Sequence, residues 1–308
     1  MKQTLLNLRL IVLATFSVFL FSCEKNEDPK ASIVDVVVSS PDFSILKAAV
    51  LKADMATELS QPNLTVFAPD NDAFGASGIT ESTINSLDKN TVGLIVRNHV
   101  IVPSTYSGSI KNGTTEALAF NGQPIFINKV NTGITINGVK VKAADANARN
   151  GVIHTVEKVI MPAPGSVVQI AINSPVHKRL VQAVVKCGLV SALSNSSSRF
   201  TVFAPTDAAF AAIGFDSTVI ANTPASALTP ILLYHVIGKT VLSYDLTEGL
   251  EAATLKPTPG NTNLIFSLAG GAKVRGGGNP ANVFANITGA NLFATNGVVH
   301  VIDRVLLP

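Results

Sequence analysis

At 308 residues the chain has room for about two domains of ~150 residues each. Hydrophobic residues make up 47% and charged residues 14%, which excludes an intrinsically disordered chain and supplies ample apolar material for real cores. Lys2 and Arg9 fall in a leading segment expected to be removed. Without them the 23 basic residues become 21, against 20 acidic ones, so the net charge of +3 carries no general pull on nucleic acid. With 15 Phe, 3 Tyr and no Trp, the aromatic material suits a buried core better than a broad stacking surface.

The N-terminus reads as an address. Lys2 and Arg9 make a positive flank, and Leu10 to Ser22 is an apolar run too short for a bilayer span, which needs ~20 residues. The run closes on Leu20-Phe21-Ser22-Cys23, which resembles a bacterial lipobox, with Phe21 larger than the usual middle residue. That resemblance implies that residues 1–22 are a lipoprotein signal peptide and that the Cys23 thiol is lipidated. Several acyl chains at ~0.8 kcal/mol per buried CH₂ would then hold the protein on a membrane. An ordinary cleavable signal or a short anchor is the alternative. With Cys23 consumed, Cys187 is the remaining cysteine and no intrachain disulfide forms. Residues 23–30 form a polar, Pro-containing tether.

Beyond the tether the chain repeats itself. Leu64–Phe74 (LTVFAPDNDAF) matches Phe200–Phe210 (FTVFAPTDAAF) at 7 of 11 positions. Arg97–Ile101 (RNHVI) matches Leu233–Ile237 (LYHVI), and Asn150–Pro162 (NGVIHTVEKVIMP) matches Asn296–Pro308 (NGVVHVIDRVLLP). Three blocks in one order, twice, set two domains at 31–162 and 163–308, with Pro162 and Pro164 marking a short joint.

In chain order, Phe43, Leu46, Ala49, Val50 and Ala53 predict an amphipathic helix, as do Leu180, Val184, Cys187 and Val190 in the second repeat. LTVFAP and FTVFAP predict strands stopped by Pro. Thr91 to His99 and Ala227 to His235 predict helices that run into short Val-Ile strands. Pro124 to Val130, Gly133 to Lys142 and Val152 to Ile160 alternate apolar and polar residues around Asn-Gly turns and predict hairpins. Helices gather in the first half of each repeat and strands in the second, which gives an α+β class.

These blocks resemble the signatures of fasciclin domains. The first carries Phe67, Pro69 and Phe74, repeated as Phe203, Pro205 and Phe210. The central tyrosine-histidine block is Tyr234-His235, with Asn98-His99 in the first repeat, where Asn stands in place of Tyr. The closing block carries Asn150, Gly151 and His154, repeated as Asn296, Gly297 and His300. The resemblance implies two domains, each a β-sandwich or wedge with helices packed around it. It also implies adhesion, or binding of an extracellular protein, matrix or polysaccharide.

No residue set points to catalysis, a cofactor or a metal. The four repeated histidines lie in apolar runs without Cys, Asp or Glu at zinc-ligand spacing, and read as buried groups that pin backbone. Asp70 and Asp72 are replaced by Thr206 and Ala208, so they read as helix caps near Ala73, with Thr206 or Asp207 serving in the second repeat. Cys187 aligns with Ala53 and reads as a small residue on a buried helix face. The stretch GGAKVRGGGNP lacks the helix that a phosphate loop needs and reads as a hairpin loop confined to the second repeat. Lys273 and Arg275 at its tip are the expected ligand contacts.

The expected function is therefore that of a non-enzymatic, exported outer-membrane lipoprotein at the cell surface, acting in adhesion or in matrix or polysaccharide binding. Two alternatives stay open: an accessory glycan-binding lipoprotein of a polysaccharide uptake system, and a periplasm-facing protein that structures the envelope.

Overall fold

The computed structural model describes residues 30–308 apart from 258, 259 and 261. The segment expected to be a signal peptide, Cys23 and most of the expected tether lie outside the described residues. Ala31–Pro308 form one compact unit.

The first repeat runs α1 (Ile33–Ser39), α2 (Ser44–Ala53), β1 (Leu64–Pro69), α3 (Asn71–Ala76), α4 (Glu81–Ser86), α5 (Lys89–Arg97) and β2 (Val100–Ile101). It continues through β3 (Gly113–Leu118), β4 (Pro124–Val130), β5 (Gly133–Ile136), β6 (Val139–Ala148) and β7 (Gly151–Val156). The second runs α6 (Val167–Asn173), α7 (Lys178–Lys186), α8 (Val190–Leu193), β8 (Phe200–Pro205), α9 (Asp207–Ala212), α10 (Ser217–Asn222), α11 (Ala225–Tyr234) and β9 (Val236–Ile237). Its remaining strands are β10 (Glu251–Ala253), β11 (Asn263–Ser267), β12 (Lys273–Gly276), β13 (Ala285–Ala294) and β14 (Gly297–Ile302).

Each repeat builds one seven-stranded sheet, in the order β2-β1-β7-β6-β5-β4-β3 and, in mirror listing, β10-β11-β12-β13-β14-β8-β9. The long strand β6 makes the wedge. Its first residues pair with β5, and from Val141 on it pairs with β7 across two register shifts. Bulges bend a strand and raise its local twist, so one sheet folds into two facing halves. β13 carries the same pair of shifts.

Two cores follow. In the first repeat, Leu64, Val66 and Ala68 of β1 pack against the helices with Ile33, Val50 and Val96. Phe67 points the other way, into the sheet halves, with Ile101, Ile125, Ile136 and Val156. Alternation along a strand covered on both faces explains why all six residues of β1 are buried. The α+β class with helices around a bent sheet is the architecture observed.

The first helix, IVDVVVS, is rich in β-branched residues, which favour strands. Capping decides it: Ser32 accepts from Asp35 N, and the Asp35 carboxylate accepts from Ser32 N at 2.8 Å. α6 starts likewise on Ser166. Asp70 caps α3 by accepting from Ala73 N at 2.9 Å, and Thr206 does the same for α9, while the Asp207 carboxylate accepts instead from Arg179 N. Cys187 departs from expectation. It is the C-cap of α7, only partly buried, with its Sγ 3.7 Å from Ala225 O.

The repeats touch through side chains. Phe126 of β4 stacks on Phe293 of β13, centroids 5.7 Å apart, over Leu242 and Val298. Around this apolar spot Arg199 Nε donates to Glu116 Oε1 at 2.8 Å and Thr114 donates to Asp245.

β7 lies parallel on β1 from Leu64↔Gly151 onward, and a Cβ at Gly151 would sit 2.0 Å from the Leu64 carbonyl oxygen. Backbone cannot move aside as a flexible side chain can. Gly151→Ala is therefore expected to destabilise the protein by about 3 kcal/mol, the upper end of overpacking costs, measured by chemical denaturation. An unchanged midpoint would show that the parallel pair can open without cost.

Candidate functional site

The residues of the three sequence blocks converge, in each repeat, around the β1–β7 or β8–β14 pair. The closing Asn is the hub. Asn150 Oδ1 accepts from Ile33 N at 2.9 Å, and its Nδ2 donates to the carbonyls of Leu59 and Gln61. Asn296 repeats this with Val167 N and the carbonyls of Leu193 and Asn195. One amide thus ties the first helix, the loop before the first strand and the last strand. Gly297 meets the same wall as Gly151, with a Cβ position 1.9 Å from Phe200 O, and its φ of +149° adds a conformation that side chains rarely adopt.

The central histidines close the other end. His99 Nδ1 lies 2.8 Å from the Ile95 carbonyl, so it carries the proton and donates. Its Nε2 accepts from Ile160 N at 2.8 Å. His235 does the same between Ile231 O and Leu306 N. The geometry fixes the neutral tautomer, and burial pushes both imidazoles down to about 4. The closing histidines use the opposite tautomer. His154 Nε2 donates to Thr105 O while Nδ1 accepts from Asp145 N at 3.1 Å, with the Asp145 carboxylate 3.9 Å away. His300 donates to Val241 O and accepts from Asn291 N, and burial lowers its proton affinity. These two rings also stack on Phe67 and Phe203, at 5.7 and 5.4 Å.

All eight ring nitrogens of these four residues are engaged with backbone, which leaves none to ligate a metal or to accept a substrate proton. His177 is buried beside Ser174 and caps α7 where Phe43 caps α2, and burial lowers its proton affinity too. Among the described residues no group of three His, Cys, Asp or Glu converges to hold a metal ion.

Pro69 and Pro205 end their strands, and Phe74 and Phe210 fill the helix-side cores. Tyr234 is fully buried. Its hydroxyl donates to Asn263 O at 2.7 Å and accepts from Gly277 N at 2.8 Å, so it holds the connection after β12. Asn98 of the first repeat is buried in its place and donates instead to Ile160 O.

Lys273 and Arg275 are not at a loop tip. KVRG forms β12, because Val274 and Gly276 alternate into the core and the strand pairs with β11 and β13. The insertion proper is the connection after it, where Asn279 accepts from Leu307 N and donates to Val305 O. Arg275 is turned inward over the Phe284 ring at 5.5 Å, with Nη1 at 3.5 and 3.4 Å from the carbonyls of Gly276 and Asn279. Lys273 lines an open groove of about 520 Å³ with Asn282, Phe284, Asn286 and Arg304. Arg304 was hidden in the sequence, where it reads as half of an acid–base pair with Asp303.

The family model described as the fasciclin domain matches residues 41–162 and again 175–308. The transforming growth factor-beta-induced protein ig-h3 of Oryctolagus cuniculus is 27% identical over 247 residues, covering 79% of this chain and 34% of that protein. Protein sll1483 of Synechocystis is 35% identical over 138 residues, covering 44% of this chain and 76% of that protein. The chain thus spans about a third of the vertebrate relative. A solved FAS1 domain pair from the insect cell adhesion molecule fasciclin I is 20% identical, with a TM-score of 0.42, over 86% of this chain and 96% of that one.

The buried neutral histidines set a pH dependence. The unfolded chain binds protons near the ordinary imidazole value of ~6.5, and the folded chain binds them at His99 and His235 only near 4, so stability is intact above 6.5 and falls as pH drops toward 4. Between pH 7 and pH 5 each is expected to remove roughly 2 kcal/mol, measured by denaturant midpoints. The double variant His99→Gln/His235→Gln should flatten that slope; an unaltered slope would overturn the assignment.

Proposed function

The chain belongs to the fasciclin family in both of its repeats, and from that premise we propose that it is a non-enzymatic protein of the cell envelope. It is tethered by lipid on Cys23 and presents two fasciclin modules to an extracellular protein or polysaccharide. The observation that carries the reading is the use of the shared motif residues. In both repeats the motif histidines and asparagines spend their polar atoms on the chain's own backbone. They serve to build a scaffold, and a scaffold present twice suits binding by exposed surfaces.

The contact between repeats supports the same reading. Phe126 on Phe293 and Arg199 on Glu116 join the modules side by side, so a ligand spanning both would meet a pre-set spacing. Linked modules gain avidity when geometry lets both engage at once. The leading segment and lipobox-like Leu20–Cys23 supply the tether, and the near-neutral balance of the remaining chain leaves the surface free of a general attraction to nucleic acid.

Protease shaving of intact cells tests the placement, with detection of the second repeat. The wild type should be cleaved from outside, and Cys23→Ala should leave the membrane fraction. Wild type that stays membrane-bound yet protected would overturn the outward-facing reading in favour of a partner inside the envelope.

A further inference from the structure

The groove that holds Lys273 is lined by two cations. Its walls come from the end of β11 and the turn after it, from β12, from the connection into β13, from β13 itself and from the segment after β14, and its volume is about 520 Å³. That is within the range of small-ligand sites, and larger than a lone inorganic anion needs. Two cations line it, Lys273 partly buried and Arg304 exposed.

Two carboxylates are bonded to residues that line the groove, and both accept from neutral donors. Asp303 accepts from Asn286 N at 2.8 Å with Oδ1, and from Asn286 Nδ2 at 2.6 Å with Oδ2. Glu248 accepts from Leu268 N at 2.7 Å and from Ser267 Oγ at 3.2 Å. Among the described residues, neither Lys273 nor Arg304 has an ion-pair partner.

Asp303 N donates to Asn286 O just as Glu157 N donates to Lys140 O, so Asn286 stands where the first repeat has Lys140. There the acid is used by the lysine, with Lys140 Nζ 3.7 Å from Glu157 Oε1. In the second repeat Asn286 takes that place and its amide and backbone N–H bond the acid, while Arg304 stands where the first repeat has Lys158.

The remaining lining is polar and neutral on one side and aromatic on the other. Asn282 is exposed, and Asn286 keeps its amide oxygen free after Nδ2 has bonded Asp303. The Phe284 ring is partly exposed, with Arg275 over it. Cations for carboxylates, amides for hydroxyls and an aromatic edge for the apolar face of a ring make up a set suited to an acidic sugar.

We propose that this groove of the second repeat binds an acidic oligosaccharide, with Lys273 and Arg304 taking its carboxylates and Asn282 and Asn286 its hydroxyls. The proposal rests on the binding reading above and names its ligand class and its site. The first repeat, with Glu157 and Lys140 paired, does not share the specificity.

The test uses the whole mature protein and calorimetric titration with a polyuronate hexamer at physiological salt. Its methyl ester and an oligoglutamate of equal charge are the comparison ligands. The hexamer should bind while the ester and the oligoglutamate bind at least about tenfold more weakly, as expected when charge-assisted bonds and hydroxyl contacts both contribute. Lys273→Ala and Arg304→Ala should each weaken binding about fivefold or more, and the double variant should abolish it, with the melting temperature unchanged. Lys140→Ala should leave affinity as it is. No hexamer binding, equal binding of the ester or of oligoglutamate, or a double variant that binds like the wild type would each overturn the proposal. The outcome is separable from the surface reading: a shaved protein that ignores the hexamer sinks only the groove, and a protected protein that binds it sinks only the outward placement.

Discussion

Everything in each repeat depends on the approach of the last long strand to the first. β7 must lie parallel on β1, and β14 on β8, with so little space at the entry that only a hydrogen side chain fits at Gly151 and Gly297. The preceding asparagine then does what no apolar residue could. It satisfies the N-terminal amide of the first helix and two loop carbonyls from one side chain. Helix starts leave orphan N–H groups, and burying one unsatisfied costs about 1–3 kcal/mol. The Asn-Gly pair removes that cost at the point where three distant segments meet. His99 and His235 add backbone-to-backbone bridges through a neutral ring, from the helix before β2 or β9 to the segment after β7 or β14.

Such a frame explains why the two repeats keep these residues in step while their surfaces differ. Tyr234 and Asn98 occupy one position with different jobs, one bonding the insertion after β12 and the other the segment after β7. Asn286 and Lys140 likewise share a place in the register and diverge in charge. Duplication preserved the closure and released the rim, where binding differences between modules can accumulate without disturbing the cores.

Much of this was legible in the chain because the same blocks recur at matching offsets. The Pro-stopped strands, the helices before Val-Ile and the α+β class all follow from local pattern. Three things were not. IVDVVVS is rich in β-branched residues, and capping and packing override their preference for strands. β6 reads only as far as Lys142, because its bulges break the alternation in AADANA. The GTTEAL strand β3 is too polar to stand out, since it lies at the sheet's edge and is mostly exposed. At the groove, glycines flanking KVRG disguised a strand as a loop, and Arg304 was masked by its neighbour Asp303. The exchange of Lys140 for Asn286 between repeats could not be read from the chain, because only the strand register aligns the two positions.

The position of β14 has a consequence for how the chain is made. It is the last strand in the sequence, yet it lies inside its sheet, between β13 and β8. The residues after it complete the repeat as well, since Leu306 N meets His235 and the Leu307 carbonyl accepts from Gly278 N. During synthesis the first repeat can close once residues near Ile160 have emerged, while the second keeps an open sheet until β14 follows. Long-range pairing of this kind folds slowly and leaves strand edges bare in the interim. Until β14 is inserted, a finished module is joined to an unfinished one, so closure of the second repeat turns on β14 and the residues just after it.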